Sequence, residues 1–167
     1  MKHKKKLITC SIGAVLAIVA TQYKGELKTS EEALKLISGY ENCTLNAYKC
    51  QAGKWTNGIG NTHGVNPNEL ISLDTVAENF VANVKEAEVC VSRHSKFEFT
   101  QGKWDAAVSF TMNAGCGNYR SSTYSKTGNC STLLAWNKYT DPTTKKKVVS
   151  KGLDNRRKAE YALCVKN

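Results

Sequence analysis

YENCTLNAYKCQAGKWTNGIGNTHGV, residues 40–65, decides how the chain reads. Gly, Asn, Thr and aromatic residues crowd positions 43–62, a mixture that favours a β-hairpin or small sheet over a helix. Just upstream, Ser30 is a fitting N-cap for EEALKLISGYE, which places Ala33, Leu34, Ile37 and Tyr40 on one face. Glu41 therefore closes a short helix before the sheet begins. Downstream, Leu73, Val76, Ala77, Phe80, Val84, Ala87 and Val91 recur at helical spacing, and Thr75-x-x-Glu78 offers a capping box. TQGKWDAAVSFTMNAG (100–115) predicts a core helix stopped near Gly115 and Gly117. STLLAWNKY (131–139) predicts a short helix and LDNRRKAEYALCV (153–165) the last one, with 139–151 as a loop between them. One helix, a small antiparallel sheet and then a mainly helical remainder make an α+β domain.

The chain has 167 residues, enough for one domain with its own core. It carries a formal charge of +10, and Lys2, Lys4, Lys5 and Lys6 supply four of those charges. A moderately basic body suits a polyanion: nucleic acid, an anionic membrane or a carboxylate-rich cell wall. No Arg/Lys cluster interleaved with aromatics is present, so nucleic acid is the weakest of the three. Lys145, Lys146 and Lys147 read as a solvated loop.

Lys6 and Lys24 bracket LITCSIGAVLAIVATQY, a run without a charge. A basic start followed by an apolar run is an export signal, with the basic end left in the cytoplasm. As one helix the run would be about 25 Å long, short of a hydrocarbon core of about 30 Å. Thr9, Ser11, Gly13, Thr21 and Gln22 weaken it further. Two outcomes are open: cleavage after Ala17 or Ala20, or retention as a marginal membrane helix able to leave the bilayer. The expected division is therefore a membrane segment over 1–24 and a folded domain over 25–167.

Seven cysteines (Cys10, Cys43, Cys50, Cys90, Cys116, Cys130 and Cys164) are many for a reduced cytosol and point to an oxidising compartment. The odd number leaves at least one thiol without an intramolecular partner. Neither CxxC nor HExxH occurs, and the histidines are only His3, His63 and His94, so no metal and no other cofactor is expected. Cys90, Cys116, Cys130 and Cys164 are expected to be structural. Cys90–Cys164 with Cys116–Cys130 is the favoured arrangement, although four cysteines allow three and the sequence does not choose.

Glycoside hydrolysis needs a carboxylic acid to protonate the leaving oxygen and a second group to guide water or attack the sugar. Glu41 is a candidate for the acid, with Cys50 and Thr56 standing across from it on the sheet. Glu41, eight residues, Cys50, five residues, Thr56 and then N-G-I-G resembles the Glu-x8-Asp-x5-Thr-x-G-x-G pattern of the phage-type lysozymes, a glycoside hydrolase family. The resemblance continues through HGV (63–65), EAEVC (86–90), AAVSFTMNAGCG (106–117), STLL (131–134) and GLDNRRKAEYALC (152–164). It implies a lysozyme-like fold with Glu41 as general acid and Thr56 placing the attacking water. It also implies cleavage of the N-acetylmuramic acid to N-acetylglucosamine linkage of peptidoglycan. Cys50 stands where the commoner residue is Asp, which leaves it open as base, nucleophile or positioner of water. Gly58 and Gly60 serve turns and close packing, and His63 reads as a hydrogen-bonding turn residue.

A subset, the signal-arrest-release endolysins of bacteriophages, is similar in three further ways. Some carry Glu-Cys-Thr, a cysteine in a weak N-terminal anchor (here Cys10) and a cysteine two residues after the catalytic Glu (here Cys43). This resemblance implies a regulatory set, Cys10, Cys43 and Cys50. Cys43–Cys50 would consume the catalytic thiol until Cys10 leaves the membrane, attacks Cys43 and frees Cys50 by exchange. It also implies a monomer held in the host inner membrane by its N-terminus, with the catalytic domain in the periplasm. Release into the periplasm would be linked in function to a holin. Two other readings stay open. One is a cysteine peptidase or amidase of the wall peptides, with Cys50 as nucleophile and His63 or His94 as base. The other is a non-catalytic wall-binding module.

Overall fold

The computed structural model describes residues 6–50 and 52–166, and the basic Lys2, Lys4 and Lys5 of the expected export signal lie outside them. The chain divides into two compact units, one of Met1–Lys28 and Ile37–Lys85, the other of Thr29–Leu36 and Glu86–Asn167.

The first unit is built on a hairpin. Strands β1 (Cys43–Lys49) and β2 (Trp55–Ile59) run antiparallel, with Cys43 opposite Ile59, Thr44 opposite Gly58 and Tyr48 opposite Thr56. The register shifts between Thr44 and Tyr48. The N-terminal run does not form the single helix expected over 7–23. Residues 7–10 lie extended along the outer edge of β1, where Leu45 N–H donates to the Ile8 carbonyl (2.8 Å) and Cys10 N–H to the Cys43 carbonyl (3.0 Å). Asn46 Oδ1 accepts from Ile8 N–H at 2.8 Å. Ser11 then caps helix α1 (Ile12–Gln22) by accepting Ala14 N–H. These 11 residues span about 16 Å. No helix among the described residues is long and apolar enough to cross a membrane. The difference has a physical cause: β1 offers unpaired backbone groups, and Ser11 supplies the cap that restarts the chain as a helix. Val15 and Val19 of α1 are buried, as are Ile37, Ala47, Ile59, Ile71, Val76, Phe80 and Val84 of the same unit.

Helix α2 (Glu31–Gly39) begins as expected, with Ser30 Oγ accepting Ala33 N–H at 3.2 Å. Asp105 fixes that cap by accepting from Ser30 N–H at 3.0 Å. Helix α3 (Leu73–His94) carries the expected apolar face, but its cap is Ser72, whose Oγ accepts Thr75 N–H, rather than Thr75 itself.

In the second unit, α4 (Gln101–Ala114) is capped by Thr100 and stopped at Gly115. It is buried along most of its length and packs on α7 (Lys151–Cys164). The closest approach is at Gly102, where a Cβ would stand 2.2 Å from the Leu163 carbonyl oxygen. Between these helices, Arg156 and Arg157 bond the buried Glu160, which also accepts from Ser109 at 2.7 Å. The polar stretch after Cys116 is two short helices, α5 (Cys116–Ser121) and α6 (Thr123–Thr127). The helix expected over 131–139 is a 3-10 turn, Cys130–Ala135, and the expected loop over 139–151 is a second hairpin. In that hairpin β3 (Lys138–Thr140) pairs antiparallel with β4 (Lys147–Val149).

Candidate active site

Glu41 lies two residues beyond α2, its N–H donating to the Ser38 carbonyl at 3.1 Å as the chain turns toward β1. Its side chain is half-buried over Gly60. A Cβ at Gly60 would stand 2.9 Å from Glu41 Oε2 and 3.2 Å from Cδ, and φ there is +64°. Both the space and the backbone conformation call for glycine. The turn that presents Gly60 is pinned by asparagines. Asn57 and Asn61 exchange two backbone hydrogen bonds (3.0 and 2.9 Å), and the buried Asn61 Nδ2 donates to Asn57 Oδ1. His63 takes a turn role, its carbonyl accepting from Asn61 Nδ2 at 3.0 Å.

At the other end of the hairpin, Cys50 closes the turn between the strands. Its N–H donates to the Lys54 carbonyl at 2.9 Å, and its own carbonyl accepts from Gly53 N–H at 2.8 Å. The half-buried thiol is not in a disulfide. The Lys54 amide holds it below the usual thiol range, followed by the Thr56 hydroxyl, against a smaller opposing effect of burial. Thr56 is buried, its Oγ1 3.2 Å from the Lys54 carbonyl. The structure thus joins Cys50 and Thr56 directly.

Tyr48 was not singled out in the sequence, yet it senses both Glu41 and Cys50. Its phenol is pushed up chiefly by burial, next by the charge of Glu41 and least by Cys50, against a hydrogen bond with Asn42. Tyr48 therefore keeps its proton and can donate. The signal for it was strand alternation: residues two apart share a face, and Tyr48 precedes Cys50 by two. Thr44 is a second residue missed. Its Oγ1 is buried without a hydrogen-bond partner, a state that costs about 1–3 kcal/mol where it persists.

The cysteines pair as Cys10–Cys43, Cys90–Cys116 and Cys130–Cys164. Among the described residues Cys50 alone is free. The favoured Cys90–Cys164 and Cys116–Cys130 are therefore corrected. Cys116 opens α5 with its Cα 5.9 Å from that of Cys90 near the end of α3. Cys130 opens the 3-10 turn that packs on α7, 5.8 Å from Cys164. Because residues 116–127 fold as helices, no loop is left to bring Cys116 to Cys130. Cys90, His94 and Cys116 bring ligand atoms within 4.8 Å of one another. The two sulfurs are bonded to each other there and offer no thiolate to a metal.

Comparison with known proteins places this geometry. The family described as Phage lysozyme matches residues 38–160. The SAR-endolysin of Haemophilus phage HP1 (strain HP1c1) is 38% identical over 178 residues, covering 95% of this chain and 95% of that protein. The solved endolysin of Escherichia coli O157:H7 phage FAHEc1 is 30% identical with a TM-score of 0.73, covering 84% of this chain and 95% of that one. The crystal structure of the active form of P1 phage endolysin Lyz shares the fold, with a TM-score of 0.70 at 24% identity and 95% of each chain covered.

Proposed function

The chain belongs to the phage lysozyme family and is a lysozyme hydrolase, and on that premise we propose that it cuts the β-1,4 bond between N-acetylmuramic acid and N-acetylglucosamine. The observation that carries this reading is the grouping of Glu41, Tyr48, Cys50 and Thr56 around one hairpin, with the Cys50 thiol free. Glu41 gives its proton to the leaving glycosidic oxygen. Cys50 and Thr56 hold the water that attacks the sugar. Tyr48 stays protonated beside Glu41, its hydroxyl hydrogen-bonded with Asn42.

The same reading makes the cysteines a switch. Residues 1–24 hold the chain in the inner membrane with the domain in the periplasm, and Cys43–Cys50 keeps it inactive. On release, hastened by a holin, the Cys10 thiolate attacks Cys43 Sγ. The Cys43–Cys50 bond breaks as Cys10–Cys43 forms, and Cys50 leaves as a thiolate, with no net oxidation. A low thiol pKa makes Cys50 a good leaving group, which favours this direction. Three features support the scheme: the Cys10–Cys43 bond, the free Cys50 and the similarity to the Haemophilus phage SAR-endolysin. The groups that depress the Cys50 thiol are backbone amides and a hydroxyl rather than an imidazole, which disfavours a cysteine peptidase.

The test is to incubate the full chain and its Glu41→Gln variant with peptidoglycan, counting new reducing ends and new free amines. Reducing ends from the wild type, lost by about 10²–10⁴-fold in Glu41→Gln while wall binding persists, are expected for a general acid. Free amines in place of reducing ends would transfer the assignment to a wall peptidase, and neither product would leave a binding module.

A further inference from the structure

The hairpin β3–β4 takes no part in the site at Glu41, yet its composition is unlike that of an idle surface loop. Residues 138–149 carry four lysines and one acid, Asp141. Lys138, Lys145, Lys146 and Lys147 are all exposed, and none pairs with a carboxylate among the described residues. Exposed lysines that do find one, Lys85, Lys158 and Lys166, lie on other parts of the chain. Apolar side chains sit among the hairpin lysines: Tyr139 is 44% exposed, Val148 38% and Val149 54%. Tyr139 stands opposite Val148, and Lys138 opposite Val149. Opposite partners share a face, so Tyr139 and Val148 form an apolar pair on one side while Val149 lies beside Lys138 on the other. One exposed valine is ordinary, but three apolar residues on so short a hairpin leave surface that a partner can cover. The turn is held in advance of any partner. Asp141 Oδ1 accepts Thr143 N–H at 2.7 Å and Thr144 N–H at 2.9 Å. Asp141 N–H donates to the Lys146 carbonyl at 2.9 Å, and the Asp141 carbonyl accepts Lys145 N–H at 2.8 Å. The single acid is thus engaged within the turn. Lys145 is the one non-glycine residue among those described with a left-handed backbone, φ +57°. Glycine or asparagine would sit there with less strain, whereas lysine keeps a charge at the tip.

We propose that this hairpin is a docking surface for an anionic lipid bilayer, with its lysines on phosphate headgroups and Tyr139, Val148 and Val149 at the boundary between headgroups and acyl chains. Charge complementarity and apolar content together select the occupant. An anionic bilayer attracts each lysine near its surface, and the attraction falls off within a Debye length. Lysine is a compact point charge on a flexible stem, suited to headgroups that present no fixed geometry. Tyrosine is enriched where one end of a side chain is apolar and the other wet. A hydrophilic polyanion, whether wall polymer or nucleic acid, would meet the lysines and leave the valines in water. Neither part suffices alone: a small apolar contact and a basic cluster act as two signals. The pre-formed turn lowers the ordering cost of docking. The hairpin belongs to the unit of Glu86–Asn167, whereas residues 7–10 belong to the other unit. This contact therefore does not need the N-terminus in lipid, and it persists while residues 7–10 lie along β1.

The test sediments the full chain, in its Cys10–Cys43 form, with vesicles of phosphatidylcholine alone and of phosphatidylcholine mixed equally with phosphatidylglycerol. Every variant keeps the same N-terminus, so differences among them read the hairpin. The anionic vesicles are expected to bind at least about tenfold more tightly, with the preference fading as salt rises. Lys145→Gln, Lys146→Gln and Lys147→Gln together are expected to weaken that binding about tenfold or more. The same change at Lys126, Lys158 and Lys166, exposed lysines on other elements, removes equal charge and is expected to cost less than about threefold. Val148→Thr with Val149→Thr keeps the β-branching that suits a strand and is expected to cost about threefold to tenfold. All these positions are exposed, so folding is not at stake. Equal binding of the two vesicle types, unchanged affinity after loss of the hairpin lysines, or an equal loss at the control lysines would overturn the proposal. A loss with the lysines but none with the valines would also overturn it, in favour of a hydrophilic polyanion.

Discussion

Gly60 leaves no room for a side chain beside Glu41, and the constraint is steric. A methyl at Gly60 would press on the carboxylate and would also occupy a left-handed backbone. Gly60→Ala is expected to lower the unfolding free energy by about 1–3 kcal/mol and kcat by about tenfold or more, since Glu41, the proposed acid, is displaced. Thermal unfolding and reducing-end kinetics measure the two effects. Cys50 gives a pH prediction with a fixed sign. Its pKa is lowered by the Lys54 amide and by Thr56, so its thiolate forms at lower pH than that of an unperturbed cysteine, about 8.5. The rate of Cys50 alkylation should therefore rise with pH through a midpoint below that value, and Thr56→Val should move the midpoint back up. Cys50→Asp should stay active and, placed in a Cys10→Ser chain, should need no thiol, where a cysteine peptidase would be dead. Glu41, Cys50 and Thr56 were legible as candidates because their spacing resembles a family pattern. Tyr48 and Thr44 were not, because a tyrosine or threonine on a strand is ordinary until its neighbours are known.

At the scale of elements, strong periodicity was readable and edges were not. The apolar positions of α3 recur over about five turns, so its existence was plain, yet its cap moved three residues upstream to Ser72 because serine and threonine compete for the same role. The uncharged run 7–23 is compatible with one helix, or with an edge segment followed by a capped helix. Only the open edge of β1 and the Cys10–Cys43 bond decide for the second. The hairpin β3–β4 escaped notice because its strands are three residues each and exposed throughout, leaving no burial pattern in the sequence. The α4–α7 packing rests on Gly102, whose neighbour is backbone and cannot step aside. Gly102→Ala is expected to cost about 1–3 kcal/mol, seen as a lower Tm with little change in kcat. Glu160→Gln is expected to be worse, about 3–5 kcal/mol, because Arg156 and Arg157 would stay buried with their charge uncompensated.

For the whole molecule, the α+β class followed from the order of elements, with the sheet coming early and the helices after it, and the lysozyme-like fold from the family resemblance. The cysteine pairing did not, since it depends on which helix ends meet, and that is settled by packing far apart in sequence. Under the proposed switch, the N-terminus has two places to be. Along β1 it closes the Cys10–Cys43 bond, leaves Cys50 free and walls a cavity beside Glu41. In a membrane it can do none of these. The most direct measurement compares the full wild-type chain with full-length Cys10→Ser, both oxidised and freed from membrane, counting reducing ends from peptidoglycan with and without mild thiol. The wild type is expected to be active without thiol, and Cys10→Ser to be silent until thiol opens Cys43–Cys50. Full activity of Cys10→Ser without thiol would contradict the switch.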